Sequence, residues 1–248
     1  MSPSRDLPRW LAVPYALYAL TSFTLLALTV LVLILPVPWQ KMRRRMVRTA
    51  ARAALAVCGM RLVVLHADRL PDESCVVVAN HSSYLDGIVL YAALPPVFGF
   101  VIKREMSRVP MANLLLRRIG AHYVDRNRGH KSARDTRKLL KRAHSGGALA
   151  FFPEGTFSHA PGLARFHSGA FLIAARARLA VVPIAIRGTR RALPPHSLLP
   201  RPGQIEIELA PALAPPASTG EADVATTRDA ARQAILARIA EPDLAPGG

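Results

Sequence analysis

A run of residues without a charged side chain, 11–40, constrains the N-terminal part of this chain most strongly. The run consists mainly of Leu, Val, Ile, Ala, Phe and Thr, and it is long enough to cross a hydrocarbon layer of about 30 Å. Trp10 and Trp39 flank it, as aromatic residues do at a membrane–water interface. A cleavable signal peptide fits less well, because the run is too long and no small-residue cleavage site follows it. We therefore predict a membrane helix that ends at Pro36 and Pro38, or a helical hairpin that bends back within the bilayer.

Basic residues are concentrated directly after the uncharged run. Arg5 and Arg9 precede it, whereas the cations that follow are Lys41, Arg43, Arg44, Arg45, Arg48 and Arg52. Because cytoplasmic flanks of membrane segments carry the excess of Lys and Arg, we predict that the body lies on the cytoplasmic side of the inner (plasma) membrane. The stretch up to about residue 60 is typical of a basic amphipathic helix. Such a helix either lies on anionic lipid or packs as an ordinary surface helix.

The overall charge predicts an anionic partner. A net charge of +17 and a sequence pI near 11.3 fit a membrane surface, a nucleic acid or a phosphorylated substrate. The abundance of Arg, Ala and Pro also fits a genome rich in GC codons, so charge alone does not choose among these partners. A nucleic-acid partner is the least favoured, because no recognition helix or aromatic–basic motif accompanies the charge. Cys58 and Cys75 lie in apolar contexts and predict buried thiols.

Strand-like and helix-like segments alternate through the body of the chain. The predicted strands are 61–66, 75–79, 98–102, 121–124, 148–152, 181–186 and 204–209. The predicted helices are 87–94, 105–119, 131–144, 170–179 and 223–240. This alternation predicts an α/β fold with a central mixed, partly parallel sheet flanked by helices. We predict three parts: the membrane-anchoring and amphipathic helices at 1–60, the α/β domain at 61–210, and a Pro/Ala-rich linker with a peripheral helix at 211–248.

A histidine and an aspartate follow the predicted strand 75–79, in the stretch Asn-His-Ser-Ser-Tyr-Leu-Asp at 80–86. Imidazole titrates near neutral pH, so it can accept a proton from a hydroxyl group. A carboxylate on its other nitrogen would fix the tautomer and stabilise the imidazolium ion. The alternative is that Ser82 or Ser83 simply caps a helix. This stretch alone leaves both interpretations open.

Three further stretches end where strands of the predicted sheet end, which is where open α/β sheets place their sites. Residues 120–126 end in Asp-Arg, residues 152–158 read Phe-Pro-Glu-Gly-Thr-Phe-Ser, and residues 181–184 read Val-Val-Pro-Ile. With the stretch at 80–86, these motifs resemble those of the 1-acylglycerol-3-phosphate (lysophosphatidic acid) acyltransferase family of glycerolipid acyltransferases. The resemblance covers roughly 61–187 and depends on the order and spacing of the four motifs together.

The resemblance implies a role for each motif. His81 would be the general base that deprotonates the acceptor hydroxyl, Asp86 would orient it, and the alkoxide would attack an acyl thioester without an acyl-enzyme intermediate. The substrate-binding residues would be Asn80, Lys103, Arg104, Arg126, Glu154, Gly155 and Thr156. The path of the acyl chain would be lined by Val182, Pro183 and Ile184. No metal or organic cofactor is implied.

The family resemblance predicts a membrane-bound O-acyltransferase of phospholipid biosynthesis. It would move a fatty acyl group from acyl-CoA or acyl-carrier protein to 1-acylglycerol-3-phosphate and give phosphatidate. Phe157 and His167 stand where the family commonly has a cation, so another lysolipid acceptor, such as a lyso-ornithine lipid, is one alternative. A non-catalytic, basic lipid-binding membrane protein is the second, although a binding protein has no need of a base. The expected partners are therefore the bilayer, the lysolipid and the acyl donor, and not nucleic acid.

Overall fold

The polypeptide is organised around a sheet whose strands were largely visible in the hydrophobic pattern. The computed structural model describes residues 8–124, 129–156, 160–195, 197 and 199–245. Within them the strands are β1 Met60–Leu65, β2 Cys75–Ala79, β3 Gly99–Lys103, β4 His122–Val124, β5 Leu149–Phe151, β6 Ala180–Arg187 and β7 Gly203–Leu209. The helices are α1 Arg9–Ile34, α2 Gln40–Val57, α3 Asp86–Ala93, α4 Pro110–Arg118, α5 Gly129–His144, α6 Gly169–Ala177, α7 Thr189–Ala192 and α8 Glu221–Leu236.

The seven strands form one sheet in the order β1-β7-β6-β2-β5-β3-β4. Strand β2 pairs in parallel with β5 and β6, and β3 pairs in parallel with β4 and β5. Strand β7 runs antiparallel to β6, and β1 runs parallel to β7. The predicted mixed, partly parallel α/β sheet is therefore confirmed. The carboxyl ends of β6, β2, β5, β3 and β4 all meet at one edge, which we call the carboxyl edge.

Strand β2 lies in the middle of the core, and its side chains alternate between two apolar layers. Val77 and Ala79 belong to the layer beneath α2 and α3, whereas Val76 and Val78 belong to the layer beneath α5, α6 and α8. All five residues of β2 are buried. A strand buried on both faces reads as a continuous β-branched run, which is why the sequence predicts it so clearly.

The C-terminal helix, which the sequence predicted to be peripheral, packs one face onto this core. Val224, Ala231 and Ile235 of α8 are buried in the layer that covers β2 and β6. Arg232 is also buried, and its guanidinium group donates hydrogen bonds to the carbonyl oxygens of Ala164 and Leu163 at 3.1 and 2.9 Å. The prediction of a peripheral helix followed from the small number of apolar positions in this segment. The predicted boundaries at residues 60 and 211 stay predictions.

Helices α1 and α2 form an antiparallel pair. At one end, the hydroxyl groups of Tyr15 and Tyr18 donate to the carbonyl oxygens of Cys58 and Val57 at 2.5 and 3.2 Å. At the other end, the last turns of α1 pack with Val47 of α2 in one apolar cluster. Helix α1 is continuous from Arg9 to Ile34 and does not bend back in its middle. Among the described residues, the one helix long and apolar enough to cross a membrane is Trp10–Ile34.

Helix α2 is tied to the sheet by a buried arginine. Arg44 is 3% exposed, and its guanidinium group donates to the carbonyl oxygens of Ile119, Val97 and Gly120 at 2.7, 3.0 and 3.3 Å. These carbonyl groups lie just before β4 and β3, at the edge opposite the carboxyl edge. Gly120 has a φ of +72°, and a Cβ atom there would overlap the side chain of Gln40. The glycine therefore lets α2 approach the sheet closely.

We expect Arg44→Met to destabilise the protein by about 3 kcal/mol, because the variant leaves buried carbonyl groups without their charged donor. Arg45→Met is the matched control on the same helix, since Arg45 is exposed. We expect its effect to stay within about 0.5 kcal/mol. Unfolding of the detergent-solubilised variants, followed by circular dichroism, measures both. Equal losses in the two variants would contradict the anchoring role of Arg44.

Candidate active site

The candidate site begins where β2 ends, and Asn80 fixes that point. The Asn80 side chain donates from Nδ2 to the carbonyl oxygen of Ile186 at 2.9 Å and accepts from the Ile186 N–H at 2.7 Å through Oδ1. Asn80 is 3% exposed. Both of its polar atoms thus clamp the loop after β2 to β6. The hydrogen-bonding groups of Asn80 thus engage the backbone, and its predicted contact with substrate stays a prediction.

Asp86 closes the loop that carries His81. Asp86 is the first residue of α3 and is fully buried, and its Oδ2 accepts from the N–H groups of Ser82 and Ser83 at 2.6 and 2.8 Å. The same oxygen lies 2.9 Å from Nδ1 of His81. Oδ2 thus faces three N–H groups at the N-terminus of α3. The hydrogen-bond network therefore assigns the proton to Nδ1 of His81 and the lone pair to Nε2.

The serines of this loop are structural, although neither caps α3 with its side chain. Ser83 is fully buried, and its hydroxyl group donates to the carbonyl oxygen of Leu193 at 2.8 Å. The Ser82 Oγ lies 3.3 Å from Oγ1 of Thr189, the first residue of α7. Sequence reasoning missed the part that α7 plays, because more than one hundred residues separate these partners and no motif marks them.

The loop after β5 holds His81 from the other side. Glu154 accepts from the His81 N–H through Oε1 at 2.6 Å and from the Ala164 N–H through Oε2 at 2.9 Å. The Phe152 ring stacks on the imidazole with 4.4 Å between centroids. Glu154 is 6% exposed, and burial raises its pKa to about 7, against the opposing effect of the two N–H donors. Gly155 follows with a φ of +85°, a backbone conformation that favours glycine.

Glu154 therefore holds the backbone of His81 in place, and its predicted contact with substrate stays a prediction. Both carboxylate oxygens engage backbone N–H groups, one of them on His81 itself. Sequence reasoning missed the stacking of Phe152 altogether. The signal was present, since an aromatic residue directly after a strand can reach the end of the neighbouring strand. Thr156 is exposed beside Gly155, and its predicted contact with substrate stays a prediction.

The predicted phosphate-binding cations divide into two groups. Arg104 pairs through Nη2 with Oδ2 of the buried Asp135 at 2.7 Å, so its guanidinium group is already engaged. Lys103 ends β3 and is half exposed, with only a 3.6 Å approach to Glu105. Because β5 alone lies between β3 and β2, Lys103 is about 10 Å from the end of β2 along the carboxyl edge. Arg126 lies outside the described residues.

The Val-Pro-Ile motif lies in the sheet. Val182, Pro183 and Ile184 are buried in β6, where they pair with residues 77–79 of β2. The side chains of Val182 and Ile184 are fully buried in the layer beneath α2 and α3. In this structure they support the strand that carries His81 and do not line an open channel. Their predicted role along the acyl chain stays a prediction.

The assembled groups suit proton transfer at the carboxyl edge. A histidine is oriented by a carboxylate, and its ring and backbone are held by Phe152 and Glu154. Within the described ranges, no group of three His, Cys, Asp or Glu side chains is placed to hold a metal ion. Burial raises the pKa of Cys75 to about 12, which disfavours its reactive thiolate. The site therefore presents a positioned base.

A family model described as Acyltransferase matches residues 61–187. The match covers just over half of the chain and includes the His81–Asp86 pair and the loop of Glu154. The chain belongs to the acyltransferase family. The family resemblance inferred from the four motifs is therefore confirmed.

Individual relatives make the likeness more specific. The chain is 36% identical over 174 residues to a 1-acyl-sn-glycerol-3-phosphate acyltransferase from Chlamydomonas reinhardtii, a match that covers 68% of this chain and 49% of that protein. It is 35% identical over 124 residues to a lyso-ornithine lipid O-acyltransferase from Pseudomonas aeruginosa, covering 50% of this chain and 47% of that protein. The chain thus spans about half the length of these two relatives.

A solved structure shows the same fold. The crystal structure of the 1-acyl-sn-glycerophosphate acyltransferase from Thermotoga maritima matches with a TM-score of 0.75. The match covers 91% of this chain and 93% of that chain at 20% sequence identity. The correspondence therefore extends beyond the four motifs to the α/β architecture as a whole.

We expect Glu154→Gln to change how stability depends on pH. A folded-state pKa raised from 4.5 to about 7 means that protonated Glu154 stabilises the fold below pH 4.5, and that this contribution is lost as the pH rises through about 7. The glutamine variant lacks this titration. The difference in unfolding temperature, wild type minus variant, should therefore increase as the pH is lowered from about 7 to 4.5.

Glu73→Gln is the control for this experiment, because Glu73 is exposed. Its unfolding temperature should follow that of the wild type across the same pH range. Parallel curves for wild type and Glu154→Gln would contradict a buried carboxyl group that titrates near pH 7.

Proposed function

We propose that this protein is a membrane-associated O-acyltransferase that acylates the free hydroxyl group of 1-acylglycerol-3-phosphate and produces phosphatidate. The observation that carries the proposal is the buried Asp86 carboxylate 2.9 Å from Nδ1 of His81, within a chain of the acyltransferase family. The acyl donor is a thioester, either acyl-CoA or acyl-carrier protein. The name of the relative from Chlamydomonas supports the choice of acceptor.

Proton transfer through His81 drives the reaction. Nε2 of His81 takes the proton of the acceptor hydroxyl as its oxygen attacks the thioester carbonyl carbon. Asp86 stabilises the imidazolium ion through Nδ1–H. The new C–O bond forms, the C–S bond breaks, and the imidazolium ion returns its proton to the departing thiolate. Atoms and charge balance without an acyl-enzyme intermediate. The nearby Ser83 hydroxyl is not needed as a nucleophile, and it donates to the Leu193 carbonyl oxygen.

The acceptor phosphate lies at the carboxyl edge beyond β5. Lys103 is an exposed cation at that edge, and lysine binds phosphate as a point charge. Arg126 completes this phosphate site in the proposal, on the strength of its place in the second motif. Arg104 holds Asp135 instead and supports the end of β3. The reaction uses neither a metal ion nor an organic cofactor.

Helix α1 anchors the body on the bilayer. Its exposed face carries large apolar side chains, among them Trp10 at 74% and Leu17 and Val32 at 63% exposure. Helix α1 packs antiparallel along α2, whose arginines would enter the hydrocarbon if both helices crossed it. This supports insertion of the exposed face of α1 into one leaflet. The positive charge of α2 favours the cytoplasmic side of the inner membrane.

A lyso-ornithine lipid is the second candidate acceptor. The 35% identity to the Pseudomonas enzyme named for that substrate favours it, as does His167, which replaces a cation common in the family. The two acceptors differ in the phosphate group, so the competition between them tests the cation site. Preferential acylation of lyso-ornithine lipid would replace the phosphatidate assignment and keep the mechanism.

We expect His81→Ala to lower acyl transfer by at least about 10²-fold, because the variant has no base at the acceptor hydroxyl. The assay follows acylated product formed from lysophosphatidate or lyso-ornithine lipid, with acyl-CoA and acyl-carrier protein as donors in separate arms. His144→Ala is the control, since His144 is exposed on α5. Full activity of His81→Ala would overturn the base assignment. Failure of the wild type with every pair would favour the binding-protein alternative.

We expect Asp86→Asn to lower kcat by roughly 10²-fold or more while KM for the acceptor changes little. The amide oxygen can still accept from the backbone of the loop, but the residue loses the charge that stabilises the imidazolium ion. Circular dichroism checks that the loop and the fold remain intact. A variant that loses acceptor affinity and keeps kcat would instead place Asp86 in substrate binding.

A further inference from the structure

A basic cleft lies between α2 and α4, away from the candidate active site. Its volume is about 500 Å³, and it is lined by Arg43, Pro110, Asn113, Leu114, Arg117 and Arg118. The five residues from α4 follow the spacing i, i+3, i+4, i+7 and i+8, so they form one face of that helix. This face opposes the N-terminal end of α2. We call this site the arginine cleft.

The arginine cleft is distant from the base in the fold. Arg44, the neighbour of Arg43, bonds to carbonyl groups just before β3 and β4, which places this end of α2 at the edge opposite the carboxyl edge. Arg117 and Arg118 form the last turn of α4, directly before β4. His81 follows the carboxyl end of β2. The end of α2 at the arginine cleft and the His81–Asp86 pair therefore lie at opposite edges of the sheet.

The charge of the cleft favours an anionic ligand. Three guanidinium groups converge on it, and neither α2 nor α4 contains an aspartate or glutamate. Nε of Arg43 is buried without a hydrogen-bond partner among the described residues, and Arg117 is exposed. Arg118 donates from one nitrogen to the Leu35 carbonyl at 3.3 Å. Guanidinium groups pair with phosphate oxygens through two parallel hydrogen bonds, which suits this arrangement.

The surroundings of the cleft are apolar and exposed. Large hydrophobic side chains with at least 40% exposure occur on α2 and α4, in the turn before α2 and in the segment before α4: Leu35, Trp39, Met42, Met106, Val109, Met111 and Leu114. A soluble anion would not require such a border. A border of this kind is typical of a surface that enters the headgroup and upper acyl region of a bilayer. The same turn continues from the apolar helix α1.

We propose that the arginine cleft binds the phosphate group of an anionic membrane phospholipid. Arg43, Arg117 and Arg118 hold the phosphate, while Leu114 and Met111 contact the upper part of the acyl chains. The bound lipid is a component of the bilayer and not the acceptor, which reacts at the opposite edge. This site sets the depth and orientation of the body on the membrane. The proposal does not depend on the reaction proposed above.

Vesicle binding by the full-length protein tests the proposal. Binding to vesicles of phosphatidylcholine is compared with binding to vesicles of phosphatidylcholine and phosphatidylglycerol, for wild type and for Arg117→Gln/Arg118→Gln. Each arginine near an anionic surface contributes about 1 kcal/mol, so we expect the double variant to lose at least about tenfold in affinity for the anionic vesicles. Its binding to phosphatidylcholine vesicles should change little.

A double variant of equal charge separates the cleft from a general effect of charge. Arg165→Gln/Arg176→Gln removes two exposed cations beside the layer that faces away from α2. We expect it to keep nearly all of its affinity for anionic vesicles. Equal losses of affinity for anionic vesicles in the two double variants would overturn the proposed lipid site and indicate a general attraction by the net positive charge. Arg117→Gln alone, at an exposed position, preserves the test if the double variant does not fold.

Thermal stability in detergent identifies the source of the phosphate. Short-chain phosphatidylglycerol should raise the unfolding temperature of the wild type and not that of Arg117→Gln. Inorganic phosphate at the same concentration should have little effect, because it lacks the acyl chains that contact the apolar border. An equal rise with inorganic phosphate would overturn the assignment to a phospholipid. Activity in detergent with soluble short-chain substrates should be unchanged in the variant.

Discussion

One carboxylate oxygen holds the candidate active site together. Oδ2 of Asp86 accepts from the backbone of Ser82 and Ser83 and faces Nδ1 of His81 at 2.9 Å. Folding the loop and orienting the base are thus one event, since neither can form without the other. The spacing of four intervening residues follows from this geometry, because the chain must turn from β2 into the first turn of α3 within that distance. The helix N-terminus adds its positive end to the same carboxylate.

A second buried carboxyl group contacts the same histidine through its backbone and not through its imidazole ring. Glu154 lies on the loop after the neighbouring strand and accepts from the His81 N–H. Its pKa is raised to about 7, chiefly by burial and also by the charge of Asp86. Two carboxyl groups therefore hold His81. Asp86, which faces the imidazole, has three N–H neighbours, and Glu154 has two. The arrangement fixes the backbone of His81 from β5 and its ring from α3.

Local signals predicted much of this from the sequence. Strand β2 was predicted with its observed bounds because it is β-branched and buried on both faces, and the pairing of His81 with Asp86 followed from the motif. Contacts between side chains and distant backbone atoms could not be predicted in this way. Asn80 clamps Ile186, and Arg44 reaches three carbonyl groups, yet a carbonyl group leaves no mark in the residue types around it. The buried contacts of Arg232 in α8 belong to the same kind, since its partners include the carbonyl oxygens of Leu163 and Ala164.

Hydrogen bonds from the arginines of α2 to backbone carbonyl groups leave the positive charge of this helix unneutralised. Arg44, Arg48 and Arg52 of α2 are all held by carbonyl oxygens and not by carboxylates. A carbonyl group satisfies the donors of a guanidinium group without cancelling its charge. The field of these arginines therefore extends outward and adds to that of Arg43 and Arg117. An ion pair at the same positions would also have fixed α2, but it would have removed positive charge from the edge of the sheet that we propose to contact anionic lipid.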